Sequence, residues 1–276
     1  MAIITISRGT FSGGKELAEC LAEKLGYDCI SREVIVQATS EYGVPLDKLS
    51  HALDDAPGVL ERMTLERIHY LAYIKAALAR HIKDERIVYH GHAGHLLLKG
   101  IPHILRVRII ADMEFRIKAA MERQSLDRKQ AVAFIKKTDE ERRRWTSFLY
   151  HEDIYNPLLY DIILNLEHIT IQGACQIIYT SARLLEFQPT PESQKRLSDF
   201  AVAADIRARI AQDSSIGDED IEIEADGGVI TITGSVNSLQ DADILREFVR
   251  KLPRVSDVVS HLRAPVLTGI GRPYDS

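Results

Sequence analysis

A chain of 276 residues with 45% apolar and 27% charged side chains has the composition of a folded, water-soluble protein, large enough for one sizeable domain or two smaller ones. Disordered and collagen-like classes are excluded, and no apolar run approaches the roughly 20 residues of a transmembrane helix. The net charge of −5 lies wholly at the C-terminal end: residues 1–190 hold 25 Lys and Arg against 25 Asp and Glu, and residues 191–276 hold 10 against 15. Neither part is basic enough for sequence-independent binding of nucleic acid.

The start "MAIITISRGT" has neither a basic leader nor a cleavable apolar segment, so the expected address is the cytoplasm and membrane attachment is not expected. Cys20, Cys29 and Cys175 are widely spaced and odd in number, which reads as free thiols in a reducing compartment.

In chain order, the runs "AIITIS" (2–7), "YDCIS" (27–31), "RIVYHG" (86–91), "ILRVRII" (104–110) and "YDIILNL" (160–166) read as strands, with amphipathic helices between them. Continuous apolar strands alternating with helices imply a five-stranded parallel sheet covered on both faces, a three-layer α/β domain over 1–187. The stretch "EFQPTPESQKR" (186–196) carries two prolines among polar residues, and a linker is expected over 188–197. Beyond it come a helix (197–213), a strand (221–225), a turn "DGG", a strand (229–236), a helix (238–252) and a strand (255–262). That is a small αββαβ unit over 198–265, followed by a tail over 266–276.

Between the first strand and a helix with Leu17, Leu21 and Leu25 every fourth residue lies "GTFSGGKE" (9–16), which completes G-x-x-x-x-G-K but places Glu16 where a Ser or Thr hydroxyl usually serves magnesium. In a phosphate loop the backbone N–H groups of Gly9, Thr10, Ser12, Gly13, Gly14, Lys15 and Glu16 converge on phosphate and Lys15 adds a point charge. The alternative is an ordinary glycine-rich turn. If position 16 offers no hydroxyl, Ser12 or a water held by a carboxylate takes that place.

"ITISRGTFSGGKELAECLAEKLGYDCISREVI" resembles the opening of the cytidylate-kinase-like family of nucleoside monophosphate kinases. The resemblance continues through "IVYHGHAGHLLL", "PHILRVRIIADMEFRIKAAMER", "DEERRRWTSFLY" and "NPLLYDIILNLEHITIQGACQII", covering nearly all of residues 1–185. It implies a P-loop kinase fold, ATP with Mg2+, and transfer of the γ-phosphoryl group to CMP, dCMP or a related monophosphate. Glu16 is common in that family. The chain departs from it at Phe11, where a glycine is usual, at Ser31, where an Asp is frequent, and at Gly91-His92-Ala93, where relatives tend to read G-R-G.

By that resemblance Arg32 and His92 face the acceptor, Arg116 and Arg123 lie two turns along one helix face, and Arg142, Arg143 and Arg144 belong to a mobile lid. Lys15, Arg116, Arg142 and Arg144 are the expected catalytic residues, and Arg32, His92, Arg123 and Asp161 the expected substrate contacts. Each arginine also has a reading as an exposed ion-pair partner. Arg8 reads as an anchor beside the loop, and Asp161 either orients a lid arginine or caps its strand. The cluster His90, His92, His95 lacks a neighbouring carboxylate or cysteine to complete a zinc-type set, so the metal ligands stay unknown.

"GGVITITGSVNSLQDADILREFVRKLPRVSDVVSHL" resembles a BON domain, with Ile232 at its central Leu position. BON domains often occur in exported proteins and are suspected of binding phospholipid or small ligands. The acidic balance disfavours anionic lipid, which leaves a regulatory or protein-interaction role. The competing expectation for the whole chain is a nucleotide-binding sensor without turnover, with this module as its output. A kinase for a different small phosphate acceptor on the same fold is a third.

Overall fold

The computed structural model describes residues 2–31, 33–48, 65–91, 93–213 and 220–264. Strands β1 (Ile3–Arg8), β2 (Asp28–Ile30), β3 (Ile87–Tyr89), β4 (Ile104–Ile110) and β5 (Ile162–Asn165) form one parallel sheet in the order β2-β3-β1-β4-β5. All five coincide with the apolar runs of the sequence.

Alternation within β1 and β4 feeds two cores. Ile4, Ile6, Leu105, Val107 and Ile109 pack with Leu17 and Leu21 of α1 (Gly14–Leu25) and Ile178 of α7 (Ile171–Ser181). Ile3 and Ile104 face the other way, onto α3 (Leu65–His81) and its neighbours α2 (Glu33–Tyr42) and α4 (Gly94–Leu97). The three layers follow from this two-sided burial.

Above the C-terminal ends of the strands stands a helical hairpin, α5 (Met113–Gln124) and α6 (Arg128–Tyr150). Asp112 and Asp127 start these helices by accepting backbone N–H groups, and Asp127 forms a capping box with Gln130.

The expected linker is helical for most of its length. Helix α8 runs Pro191–Gln212, with Thr190 as N-cap reciprocally bonded to Ser193 and proline at the first helical position. A proline there has the right φ and no N–H to lose, so "TPES" starts a helix rather than separating two units.

One side of α8 carries Leu197, Ala204, Ala208 and Ala211 into the core of α3, where the Tyr73 hydroxyl donates to the Ala211 carbonyl at 2.9 Å. The other carries Val202, Ile206 and Ile210 into the core of the small sheet. Small side chains on the α3 side let the two axes approach closely.

The small sheet has the order β6-β7-β8, from β6 (Asp220–Asp226), β7 (Val229–Ser235) and β8 (Asp257–Arg263), with α9 (Leu239–Arg250) beside α8. Gly227 (φ 56°) and Gly228 (φ 94°) make the tight β6–β7 hairpin, which needs positive φ at both central residues. The β7–β8 pair is parallel, joined across α9. Among the described residues no helix is long and apolar enough to cross a membrane, and residues 265–276, with the expected tail, lie outside them.

Candidate functional site

The glycine-rich loop leaves β1 at its C-terminal end, between β3 and β4, where the strand order reverses and parallel sheets open a crevice. Gly9 N–H donates to the Ile109 carbonyl at 3.2 Å, and Ser12 N–H closes the turn on the Gly9 carbonyl at 3.2 Å. The Ser12 hydroxyl is fully buried and donates to the carbonyls of Gly9 (2.9 Å) and Ile109 (3.3 Å). It fastens the loop from beneath.

Gly13 has φ 83°, and a Cβ there would come within 3.0 Å of Leu166. A Cβ on Gly14 would lie 2.8 Å from the Arg8 side chain. Arg8 therefore passes under the start of α1, as an anchor beside the loop should.

The loop is held from above by a residue the sequence reading passed over. Asp139 of α6 accepts from Thr10 N–H at 3.0 Å and from the Thr10 hydroxyl at 2.7 Å through one oxygen, and pairs with Arg116 through the other. Arg116 also donates to the Thr10 carbonyl at 2.8 Å and lies over Gly9, while Arg142 donates to the Thr10 hydroxyl at 3.3 Å. A backbone N–H at the loop thus donates to an anionic oxygen, the chemistry a phosphate cradle requires.

Phe11, where relatives keep a glycine, does adopt the left-handed conformation that favours glycine (φ 60°). Holding an L-residue there costs roughly 1–2 kcal/mol. Packing offsets it: the ring meets Phe134 at 5.9 Å and joins the small core of Ile117, Ala120, Ala131 and Ile135 between α5 and α6. The side chain ties the loop to the helical hairpin above it.

Other expected residues are spread more widely. Lys15 is 3.6 Å from Glu19 on an exposed face of α1. Glu16 pairs with Arg123 at 2.5 Å, joining α1 to α5. Of the three consecutive lid arginines, Arg142 turns to the loop, whereas Arg144 pairs with Glu140 at 3.1 Å and Arg143 lies 3.6 Å from Asp153. One helical turn has room for one of three on a given face.

Asp161 accepts from Arg106 of β4 at its backbone N–H (2.8 Å), Nε (3.1 Å) and Nη2 (2.7 Å), so it braces two strands instead of orienting a lid arginine. Ser31 is half-buried at the end of β2, and Arg32 and His92 lie outside the described residues.

Around the loop, Arg8, Arg116, Arg123 and Arg142 stand against Asp139 and Glu16. The excess is positive, and burial with the neighbouring Arg142 guanidinium lowers the Arg8 pKa. A polyanion relieves such a cluster.

Beyond the end of β3, Gly91 and Gly94 lie so close to the Tyr89 ring that a Cβ on them would fall 2.4 or 2.3 Å from it. His90 Nδ1 is 2.6 Å from Arg8 Nη1, and His95 is buried against Tyr160, with ring centroids 4.8 Å apart. Burial first, then the guanidiniums of Arg108 and Arg106, pushes the His95 pKa down to about 3, so the ring is neutral.

Arg108 is itself buried, donates to the Tyr160 hydroxyl at 3.1 Å, and lies over the Tyr155 and Tyr160 rings at 5.1 and 5.4 Å. Two arginines inside "ILRVRII" were the signal for it: charge at alternate positions of a central strand needs a polar purpose. Asp139 had no such signal, since one acid in "TDEERRR" reads like the others. Among the described residues no three His, Cys, Asp or Glu side chains gather as metal ligands.

Comparison with known proteins accords with this geometry. The sequence profile of the cytidylate kinase-like family matches residues 3–168, and that of the BON domain matches residues 198–265. A cytidylate kinase of Archaeoglobus fulgidus is 28% identical over 177 residues, which cover 63% of this chain and 91% of that protein. The crystal structure of an uncharacterized protein from Eubacterium ventriosum shares the fold, with a TM-score of 0.52 at 20% identity over 66% of this chain and 98% of that one.

Proposed function

Because the chain belongs to the cytidylate kinase-like family, we propose that it transfers the γ-phosphoryl group of ATP to a nucleoside monophosphate, CMP or dCMP foremost. The observation that carries this reading is the loop itself. Its Thr10 N–H already donates to an anionic oxygen, beside two guanidiniums, at the C-terminal ends of β1 and β4.

Phosphoryl transfer asks a protein mainly for alignment and charge neutralisation. The loop from Gly9 to Gly14 takes the donor phosphates, and Lys15 swings from the surface to meet them. Arg116, held on the Thr10 carbonyl, and Arg142, on the lid helix α6, flank the transferring group. Magnesium, brought with the nucleotide, supplies further neutralisation. Asp139, which already meets the loop at Thr10, is the carboxylate that would stand nearest such an ion. Arg123 supports the site through Glu16, and Asp161 through Arg106.

The BON domain serves regulation or interaction in this reading. What supports such a link is α8, whose two sides belong to the two cores.

The rival reading, nucleotide binding without turnover, is favoured by the exposed Lys15–Glu19 pair. One assay separates them: the full chain with ATP, magnesium and a panel of nucleoside monophosphates, scored for ADP beside a Lys15→Ala variant. Turnover that falls at least about a hundredfold in the variant establishes the kinase. ATP binding with no turnover on any acceptor establishes the sensor.

A further inference from the structure

Next to the phosphate loop, at the end of β1, lies a small, partly open cavity of about 20 Å³, room for one water-sized group. Ser7 and Arg8 at the end of β1, Gly91 in the turn after β3, His95 of α4, and Arg142 and Thr146 of the lid helix α6 line it. His95 is 6% exposed, and its Nε2 is buried with no hydrogen-bond partner.

A buried polar atom left without a partner costs about 1–3 kcal/mol, so such an atom on a residue that lines a cavity marks a place where a ligand completes the structure. The surroundings define that ligand. Arg8 and Arg142 bring positive charge, and burial, helped by the nearby charges of Arg108 and Arg106, holds the imidazole neutral. A neutral ring beside guanidiniums offers one N–H without adding a further cation. The complement is an oxygen that carries negative charge and no proton, as on a phosphomonoester.

We propose that this cavity takes a phosphate oxygen of the monophosphate acceptor, with His95 Nε2–H as its hydrogen-bond donor and Arg8 and Arg142 as its counter-charges. The inference rests on the kinase reading, and assigns His95 as an acceptor-binding residue. Arg142 and Thr146 of α6 form one of its walls. Apart from Arg142, none of the lining residues belongs to the Thr10–Asp139 contact where donor phosphates are placed, so loss of His95 should be felt by the acceptor and spare ATP.

The test is steady-state kinetics of the full chain with CMP, ATP and magnesium, for His95→Leu and His95→Gln. Leucine fills the space without a donor, whereas the glutamine amide can restore an N–H near the Nε2 position. Expected are a rise of about tenfold or more in KM for CMP with His95→Leu, a KM for ATP within about twofold of the unsubstituted chain, and partial recovery with His95→Gln. Thermal melting of each variant verifies that it is folded.

A CMP KM unchanged in His95→Leu, or CMP and ATP constants that rise together, overturns the assignment while leaving the kinase reading intact. Absence of turnover on every monophosphate removes the kinase reading alone, and calorimetric binding then decides. CMP binding weaker to His95→Leu than to the unsubstituted chain, with cytidine indifferent to the change, upholds the phosphate contact. Equal binding, or none, overturns it.

Discussion

The two sheets of this protein treat charge in opposite ways. In the five-stranded sheet, Arg8, Arg108, Arg116 and Asp139 are drawn into the crevice over the strand ends and find partners far away in sequence, 129 residues apart for Thr10 and Asp139. In the small unit the charges stay outside and many pair with near neighbours: Arg246 with Asp243, Arg250 with Glu247, and Arg209 with Asp205 on α8, while the longer-range pair of Lys195 with Asp226 is also at the surface. A parallel sheet covered on both faces leaves its strand ends as the place for polar chemistry, whereas a small sheet with helices on one side sends its polar residues straight to water. Burial, and with it the capacity to hold a charged ligand, separates the regions more than composition does.

The comparison can be strained in steps of decreasing size. Lys15→Ala, the loop's point charge, should remove at least about a hundredfold of turnover in the ADP assay. Asp139→Ala should cost about 2–3 kcal/mol in denaturant unfolding, because Arg116 and the Thr10 donors lose an acceptor in a site that is mostly shielded. Equal stability would show that the crevice charges are as well solvated as those of the small unit.

Ala208→Leu tests whether the regions are separable at all. Ala208 is fully buried where α8 meets α3, so the added bulk should cost about 1–3 kcal/mol. Because α8 also carries the small unit's core, both should melt in one transition, and two resolved transitions would contradict the shared helix. At the small end, Arg250→Ala breaks a 2.9 Å pair with Glu247 in which both side chains are about half exposed. It should shift stability by less than about 0.5 kcal/mol.

The shared helix bears on how the C-terminal module is studied. Removing residues 191–276 would bare Ala72, Tyr73 and Ala76 of α3, whose cover is α8. Loss of activity in such a truncation would report on an exposed core as much as on regulation. A substitution confined to the small sheet, away from α8, is the cleaner probe of its role.

Much of this was legible in the amino-acid order. The strand positions, the helix of Leu17 and Leu21, the tight Gly227–Gly228 turn and the glycine-rich loop all follow from periodicity and local dihedral preference, which act over a few residues. The start of α8 was legible too, but the prolines were weighed as breakers when Thr190, Pro191 and Ser193 spell a helix start.

What the order of residues alone determined is thus the alternation of elements, the parallel sheet and the loop at the end of its first strand. Tertiary structure decided which charges matter. It chose Asp139 and Arg142 from a run of similar side chains, gave Phe11 a core that offsets its strained backbone, set Asp161 against Arg106, and buried His95 in a cavity wall with its Nε2 unpartnered. Local spacing cannot choose among them, because each is selected by contact across the fold, where burial makes an unpaired charge costly and a paired one specific.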